Sequence, residues 1–540
     1  MAGHEYDVIV LGTGAAGLMA AAVAADAGAT VGLFEKADLI GGTTALSGGI
    51  AWLPAFPGGD EAGTEEDGIA YLKSLSNGMV RDDLVETFVR SVPETVEWLH
   101  ARTPVRLRLV PGYPDYHPER PGGRPRGGRS YEPELISFHD IGEWGARIPP
   151  RVGEMRMLLA ETPSGRGTGV LDPEELKSRE ARDINGLGRA LIAGLLKSCL
   201  DHEVAPVTGA RAERLLVEEG RVAGVSITRD GATFEARARH GVILATGGFE
   251  WDPELVRSFS RGPIQQTPTA PSNTGDGLRM AMRVGAMLGN MREAWWTPTM
   301  VVGGETHLGV QKVALTTRER ARPGSIMVNS KGRRFTNEAA NYNANGAAFH
   351  RLDPTTFRYE NLPAWLIFDA RHLRHYGFYD APAGGEAPGW GMKAERLDDL
   401  EASLGLPAAS LTETVDRWNA RVEAGEDPDF GRGASAYDAF NGDRDFLDHR
   451  GTLGKLTEAP FYAVEIQIGA LGTNGGPLTD TSAAVLDVDG QVIPGLYAAG
   501  NVMAAPTGMA YGGAGGTIGP ALVWGYRAAR ACVLGCADSG

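Results

Sequence analysis

The chain has 540 residues, of which 42% are apolar and 75 are glycine, and a formal net charge of −16. That length exceeds one simple core and makes two domains the expectation, while the negative balance argues against nucleic acid or an anionic membrane surface as a partner. Three cysteines provide no disulfide framework, and no uninterrupted apolar run reaches the length of an integral membrane segment.

Tyr6 to Leu11 reads as a buried parallel strand, followed by Gly12-Thr13-Gly14-Ala15-Ala16-Gly17 and an alanine-rich helix from about Leu18 to Ala27. A second strand, Val31 to Phe34, ends on Glu35. GxGxxG between strand and helix, with an acid closing the next strand, is a dinucleotide fingerprint. Gly12 allows the sharp turn, Gly14 lets backbone approach a pyrophosphate, and Gly17 lets helix and strand pack closely. The helix N-terminus offers unpaired N–H groups and a positive dipole end to phosphates, with Ala15 and Ala16 just ahead of it as expected cofactor contacts. Glu35 can accept hydrogen bonds from ribose hydroxyls. A strand starting at Tyr6 leaves no room for a secretory leader, so a cytoplasmic protein is expected.

Lys36 and a short spacer lead into Gly41-Gly42-Thr43-Thr44-Ala45-Leu46-Ser47-Gly48-Gly49. This run resembles the loop of the fumarate reductase/3-ketosteroid dehydrogenase class of flavoproteins. The resemblance implies non-covalent FAD, with its pyrophosphate and ring wrapped by Gly42, Thr43, Thr44, Ser47, Gly48 and Gly49. Small residues and hydroxyls suit a loop whose backbone lies close to a planar ring.

Further along, Arg120, Arg124, Arg126 and Arg129 sit in a Pro/Gly-rich stretch read as a solvated loop. A β-meander is expected over Ala212–Val217, Val222–Thr228 and Ala232–Ala238, with turns at Gly220 and Asp230-Gly231. A separate strand, Gly241 to Leu244, enters Ala245-Thr246-Gly247-Gly248, which resembles an element passing near the cofactor in two-dinucleotide-domain flavoproteins. Fingerprint elements then vanish until about Val464. The expected fold is α/β: a Rossmann-like FAD-binding domain with a β-meander, 1–297 and 465–540, plus an inserted α+β catalytic cap, 298–464. Near the C-terminus, Gly495 to Asn501 resembles the closing FAD motif, with contacts at Gly500 and Asn501. A helix from about Gly515 to Cys532, with Thr517 and Ile518 in its first turn, would turn its positive end to the flavin. Cys199, Cys532 and Cys536 read as idle thiols, and no metal site is expected.

Three tyrosine motifs suggest the chemistry. Met509-Ala510-Tyr511-Gly512-Gly513-Ala514-Gly515 resembles the Tyr-x-x-x-Gly unit with which 3-ketosteroid Δ1-dehydrogenases bind a ring ketone. The resemblance gives that role to Tyr511 and Gly515; the family usually has Pro where Gly512 stands, a change expected to soften the loop. Asn337-Glu338 and Tyr342 resemble the segment of the catalytic base, which falls on Tyr342. Tyr113-Pro114-Asp115-Tyr116, ahead of Pro121-Gly122-Gly123, resembles the loop whose tyrosines support the base (Tyr116) and line the pocket (Tyr113). Together they imply a desaturase: a base removes the proton α to a ketone while hydride leaves the β carbon for the flavin. The implied substrate is a 3-oxosteroid or a smaller cyclic ketone such as cyclohexanone or 4-oxocyclohexanecarboxylate. Arg318, Arg320 and Arg322 read as a solvated basic turn, or, at Arg318, as a guanidinium for a substrate carboxylate. Dicarboxylate reduction is disfavoured, because Thr507 to Gly516 lacks the His and Arg that clamp a dicarboxylate in fumarate reductases. A non-catalytic flavin-fold binding protein is disfavoured by the intact glycine and tyrosine motifs. No haem or iron–sulfur spacing is present, so an unidentified external electron acceptor is implied.

Overall fold

Val8 to Leu11 are almost wholly buried, as a strand covered on both faces requires. The computed structural model describes residues 4–57, 63–151, 153 and 155–534, and in it this strand, β1 (His4–Leu11), lies inside a sheet. Strand β2 (Val31–Phe34) pairs with it in parallel. Next come the meander strands β3 (Arg211–Glu218), β4 (Arg221–Arg229) and β5 (Ala232–Leu244). Their two-residue turns have positive φ at both positions, 48° and 79° at Glu219-Gly220 and 50° and 76° at Asp230-Gly231, the geometry that matches hairpin twist.

The separate strand expected at Gly241 is not separate. Strand β5 runs unbroken for 13 residues. Its first half pairs antiparallel with β4, and from Ala236 onward it also pairs parallel with β1. One strand thus belongs to both the meander and the dinucleotide sheet.

The second sheet contains β6 (Ala294–His307), β7 (Val310–Leu315), β8 (Ser325–Asn329), β9 (Ala364–Asp369) and β10 (Phe461–Thr473). Its order is β7-β6-β10-β9-β8, and a short strand, Met392–Ala394, also pairs with β10. Strands β11 (Ala484–Leu486) and β12 (Val492–Ala498) return to the first sheet, whose main order is β2-β1-β5-β12-β11. The fold is therefore α/β, a Rossmann-like sheet with a meander and a second sheet with its own helices.

Helix α1 (Ala15–Asp26) is buried from Ala15 to Ala25. Its small residues let it sit between the sheet and two other helices: Leu187–Asp201 and α5 (Ile518–Leu534), the last of five helices labelled here. A Cβ at Gly525 would stand 2.5 Å from the Ala16 carbonyl oxygen, so α1 and α5 meet backbone to backbone. The other labelled helices are α2 (Gly42–Leu46), α3 (Tyr342–Phe349) and α4 (Ala370–Tyr376). Among the described residues no helix is long and apolar enough to cross a membrane. Cys199 and Cys532 are buried, and burial pushes the Cys199 thiol up to about 12; Cys536 lies outside the described residues. A distinct aromatic cluster containing Tyr113, Tyr116, Trp295, Tyr342, Tyr437 and Tyr511 lies apart from the cores of the two sheets.

Candidate active site

A cavity of about 520 Å³ runs from Glu35 to the aromatic cluster. At its Glu35 end the wall comes from the fingerprint. Gly12 has φ 106°, and a Cβ there would lie 2.3 Å from the Ala245 carbonyl oxygen, so the turn admits no side chain. Helix α1 has no side-chain cap at Gly14, which leaves the first-turn amides beyond Ala15 free for an anion. A Cβ at Gly14 would meet only Thr44 Oγ1, at 3.9 Å. Gly17 stands behind the wall: a Cβ there would strike the Gly12 carbonyl oxygen at 2.0 Å, so it serves helix–strand packing.

Glu35 is buried and already engaged. Its Oε2 accepts from Thr13 N at 3.0 Å and Thr13 Oγ1 at 2.6 Å, and its Oε1 accepts from Ala37 N at 2.9 Å. Lys36 donates to Asp276 and Thr274, both at 2.6 Å, which ties it to the protein. In the loop around α2, Thr44 Oγ1 accepts from Ala15 N at 3.3 Å, and Thr43 Oγ1 accepts from Ala270 N at 3.1 Å and Asn273 Nδ2 at 3.0 Å. Ser47 Oγ accepts from Gly49 N at 3.0 Å. These residues line the cavity with Ala16, Gly42, Gly48, Ala245, Thr246, Gly247, Gly500, Asn501, Thr517 and Ile518. Thr246 Oγ1 is buried without a partner. Free helix amides, an open glycine face and an orphan hydroxyl fit a dinucleotide at this end.

The far end brings together residues far apart in sequence, Tyr116 and Tyr342 being separated by 226 positions. Tyr116 Oη donates to Tyr342 Oη at 2.7 Å. The Tyr116 and Tyr511 rings stack, with centroids 5.3 Å apart and planes 17° apart. Tyr342 meets Tyr511 edge-on at 5.4 Å, and Trp295 does so at 5.0 Å. Tyr511 Oη and Thr517 Oγ1 are 2.9 Å apart. Tyr113, Tyr116, Tyr342, Tyr511 and Gly515 all line the cavity. Burial pushes the phenols of Tyr116 and Tyr342 well above their ordinary range, and that of Tyr511 upward.

Local structure explains the positions. Tyr342 is the first residue of α3. Asn341 caps that helix by accepting from Ala344 N at 3.0 Å, and its Nδ2 donates to the Tyr116 carbonyl at 3.2 Å. One side chain thus starts the helix and holds the neighbouring tyrosine. Helix α5 begins at Ile518, three residues later than Gly515, because Gly515 has φ 93° and its carbonyl accepts from Trp52 N at 3.0 Å. The Gly515 amide has no acceptor among the described residues. Gly512 does not leave the loop soft: a Cβ there would fall 2.8 Å from the Trp52 ring, and its carbonyl accepts from Tyr71 Oη at 2.7 Å and Tyr116 N at 3.0 Å.

Two arginine expectations need correction. Arg129 is wholly buried rather than solvated, paired with Asp115 at 2.8 Å; Trp52 Nε1 donates to the same carboxylate at 2.8 Å. Arg320 is also fully buried, and Arg322 turns inward to donate to the Tyr376 carbonyl at 3.1 Å. Arg318 alone fits the cavity reading: it is half-buried on the wall, and its guanidinium has no hydrogen-bond or ion-pair partner among the described residues. Sequence reasoning missed Tyr437, whose ring meets Tyr116 at 4.8 Å, and Trp295, whose Nε1 donates to Asn501 at 3.2 Å.

Comparison with known proteins now bears on this geometry. The family model for the FAD binding domain matches residues 7–518. The chain belongs to this FAD-binding family. It is 40% identical to a 4-oxocyclohexanecarboxylate 2-dehydrogenase of Sinomonas cyclohexanicum, over 97% of this chain and 92% of that one. A 3-oxosteroid 1-dehydrogenase of Mycolicibacterium smegmatis is 38% identical over 98% and 97% of the two chains. In structure the flavoprotein is similar to a 3-ketosteroid Δ1-dehydrogenase from Sterolibacterium denitrificans, solved with 1,4-androstadiene-3,17-dione. The TM-score is 0.90 at 33% identity, with 98% of this chain and 100% of that one covered. FAD is its cofactor, and it is a flavin-dependent dehydrogenase.

Proposed function

We propose that the flavoprotein desaturates a cyclic ketone between the carbons α and β to its carbonyl. The observation that carries this reading is the 2.7 Å hydrogen bond between Tyr116 and Tyr342 on the wall shared with Tyr511 and Gly515. Bound FAD supplies the acceptor for the hydride that leaves the β carbon. The protein's part is proton and charge management. Tyr511 Oη and the unpaired Gly515 amide donate to the ketone oxygen and stabilise the charge that develops there, as an oxyanion hole does. That polarisation acidifies the α carbon. Tyr342 takes the α proton onto its phenolate oxygen, and the hydrogen bond from Tyr116 favours that anion. Buried aromatic walls exclude water from the exchange.

Relatives with 3-oxosteroid activity, together with apolar wall residues such as Ile50, Leu159 and Leu471, support a 3-oxosteroid as the substrate. A second reading has a specific observation behind it. Arg318, without a carboxylate of its own, suits a small ring ketone that carries one, as the name of the Sinomonas relative describes. Electrons then pass to an external acceptor, a quinone, a separate carrier or oxygen.

Anaerobic bleaching of the bound flavin separates the readings. The wild type and Arg318→Ala should both bleach with a 3-oxosteroid. Bleaching by 4-oxocyclohexanecarboxylate that is lost in Arg318→Ala establishes the second reading. A flavin that stays oxidised with every ring ketone overturns both.

A further inference from the structure

Arg320 has an unusual position for a guanidinium. It is completely buried, and its Nη1 donates to the carbonyls of Glu338 and, at 2.7 Å, Ala340, both just upstream of Tyr342. Its Nε and Nη2 have no partner. Nearby acids are committed elsewhere. Glu338 pairs with Arg334 at 2.6 Å and Arg432 at 3.2 Å, and Asp427 pairs with Arg334 at 2.9 Å. Two guanidiniums there meet two carboxylates, and Arg320 remains outside that balance. Asp438 also faces Arg320; it accepts from Asn337 Nδ2 and Gly433 N, both at 2.9 Å, and burial holds its carboxyl above the usual range. Among the described residues Arg320 has no ion pair. A cation in that state carries a large desolvation cost unless a negative charge forms nearby.

Phenols are the groups beside it. Tyr437 is buried, its hydroxyl has no hydrogen-bond partner among the described residues, and the Arg320 charge works against the upward push of burial on its phenol. The Tyr437 ring meets that of Tyr116 edge-on, with centroids 4.8 Å apart. Tyr116 in turn donates to Tyr342 at 2.7 Å. Arg320 thus lies behind the backbone that leads into Tyr342, and Tyr437 and Tyr116 are the phenols packed toward the proposed base.

We propose that Arg320 is the countercharge for an ionised tyrosine cluster, a positioning residue that acts through Tyr437 to make the anionic form of the Tyr116–Tyr342 pair accessible. This rests on the reading of Tyr342 as the base. On ionisation one O–H bond breaks, its proton passes to water, and the negative charge left on the phenols balances the guanidinium. The need is plain from the surroundings. Burial opposes ionisation of both Tyr116 and Tyr342, and the rings packed against them, Tyr437 and Tyr511, are neutral phenols as well. His117, beside Tyr116, is held toward its neutral form by burial and so adds no charge. Around Arg320 and Tyr437 the charged groups are Asp438, Glu338 and Arg432, with Glu119 acting on Asp438; Asn441 beside Tyr437 is neutral.

The test uses FAD-loaded protein without substrate. A pH titration of the tyrosinate ultraviolet difference band, taken as the component lost in Tyr342→Phe, reads the ionisation directly. Arg320→Gln should raise its midpoint by about one unit or more, Arg320→Lys should restore most of the shift, and Asp438→Asn should move it downward. The pH profile of flavin reduction should follow. Should Arg320→Gln fail to fold, Tyr437→Phe keeps the carbonyl contacts of Arg320 and should still raise the midpoint. An unmoved midpoint in Tyr437→Phe and in every folded Arg320 variant overturns the proposal. Undiminished turnover in Tyr342→Phe would instead sink the base assignment itself.

Discussion

Tyr511 holds its place by its ring, and in the proposed reaction it acts by its hydroxyl. The ring is stacked on Tyr116 and edged by Trp295, and the hydroxyl is shared with Thr517 at 2.9 Å. Tyr511→Phe keeps the first and removes the second. Losing one donor to a developing oxyanion lowers the rate by about 10²–10³, so flavin reduction by the ring ketone should slow by that order while FAD stays bound. Stopped-flow reduction checks it, and a rate within a few-fold of wild type would leave the ketone grip to Gly515 alone. Tyr116, Tyr342, Tyr511 and Gly515 were legible in sequence because each sits in a short motif of local chemistry. Tyr437, Arg320 and the Asp115–Arg129 pair were not. Their burial depends on chain segments far away, and an arginine in a Pro/Gly-rich stretch looks solvated until that partner is known.

At the scale of elements, the fingerprint strands were readable because both periodicity and glycine placement are local. The fused strand β5 was not, since Arg239 and His240 interrupt the apolar pattern where the strand passes from meander to parallel sheet. The start of α5 was misplaced for a similar reason: Gly515 and Gly516 belong to a turn held against the backbone of Ile50 and Trp52 and to the Tyr511 ring. Helix α4 yields a stability prediction. His372 on that helix is buried, bonded to the Pro323 carbonyl at 2.9 Å, and desolvation lowers its pKa from 6.5 to about 3. Between those values the unfolded chain binds the proton and the folded chain does not, so stability falls as pH drops below 6.5. From pH 7 to pH 5 this single group should remove about 2 kcal/mol. Urea unfolding of wild type and His372→Phe at both pH values tests it. The wild type should lose more than the variant, and equal losses would refute the assignment.

At the scale of the whole molecule, the first sheet and its helices provide the cofactor end of the cavity, and distant segments provide the chemistry. Tyr116 precedes the meander, Tyr342 opens a helix within the stretch that carries the second sheet, and Tyr511 stands just before α5. No local pattern dictates that these three phenols meet; the fold brings them from three distant segments onto one cavity wall. The family could therefore be read from the chain's motifs, while the hydrogen bond between Tyr116 and Tyr342 and the buried charge behind it required the fold. The central claim is that Tyr342 removes the proton α to a ring ketone. Its most direct test is single-turnover bleaching of the flavin in Tyr342→Phe, with FAD content and ketone affinity measured on the same preparation. The claim predicts full FAD occupancy, ketone binding close to wild type and almost no bleaching; bleaching at the wild-type rate would contradict it.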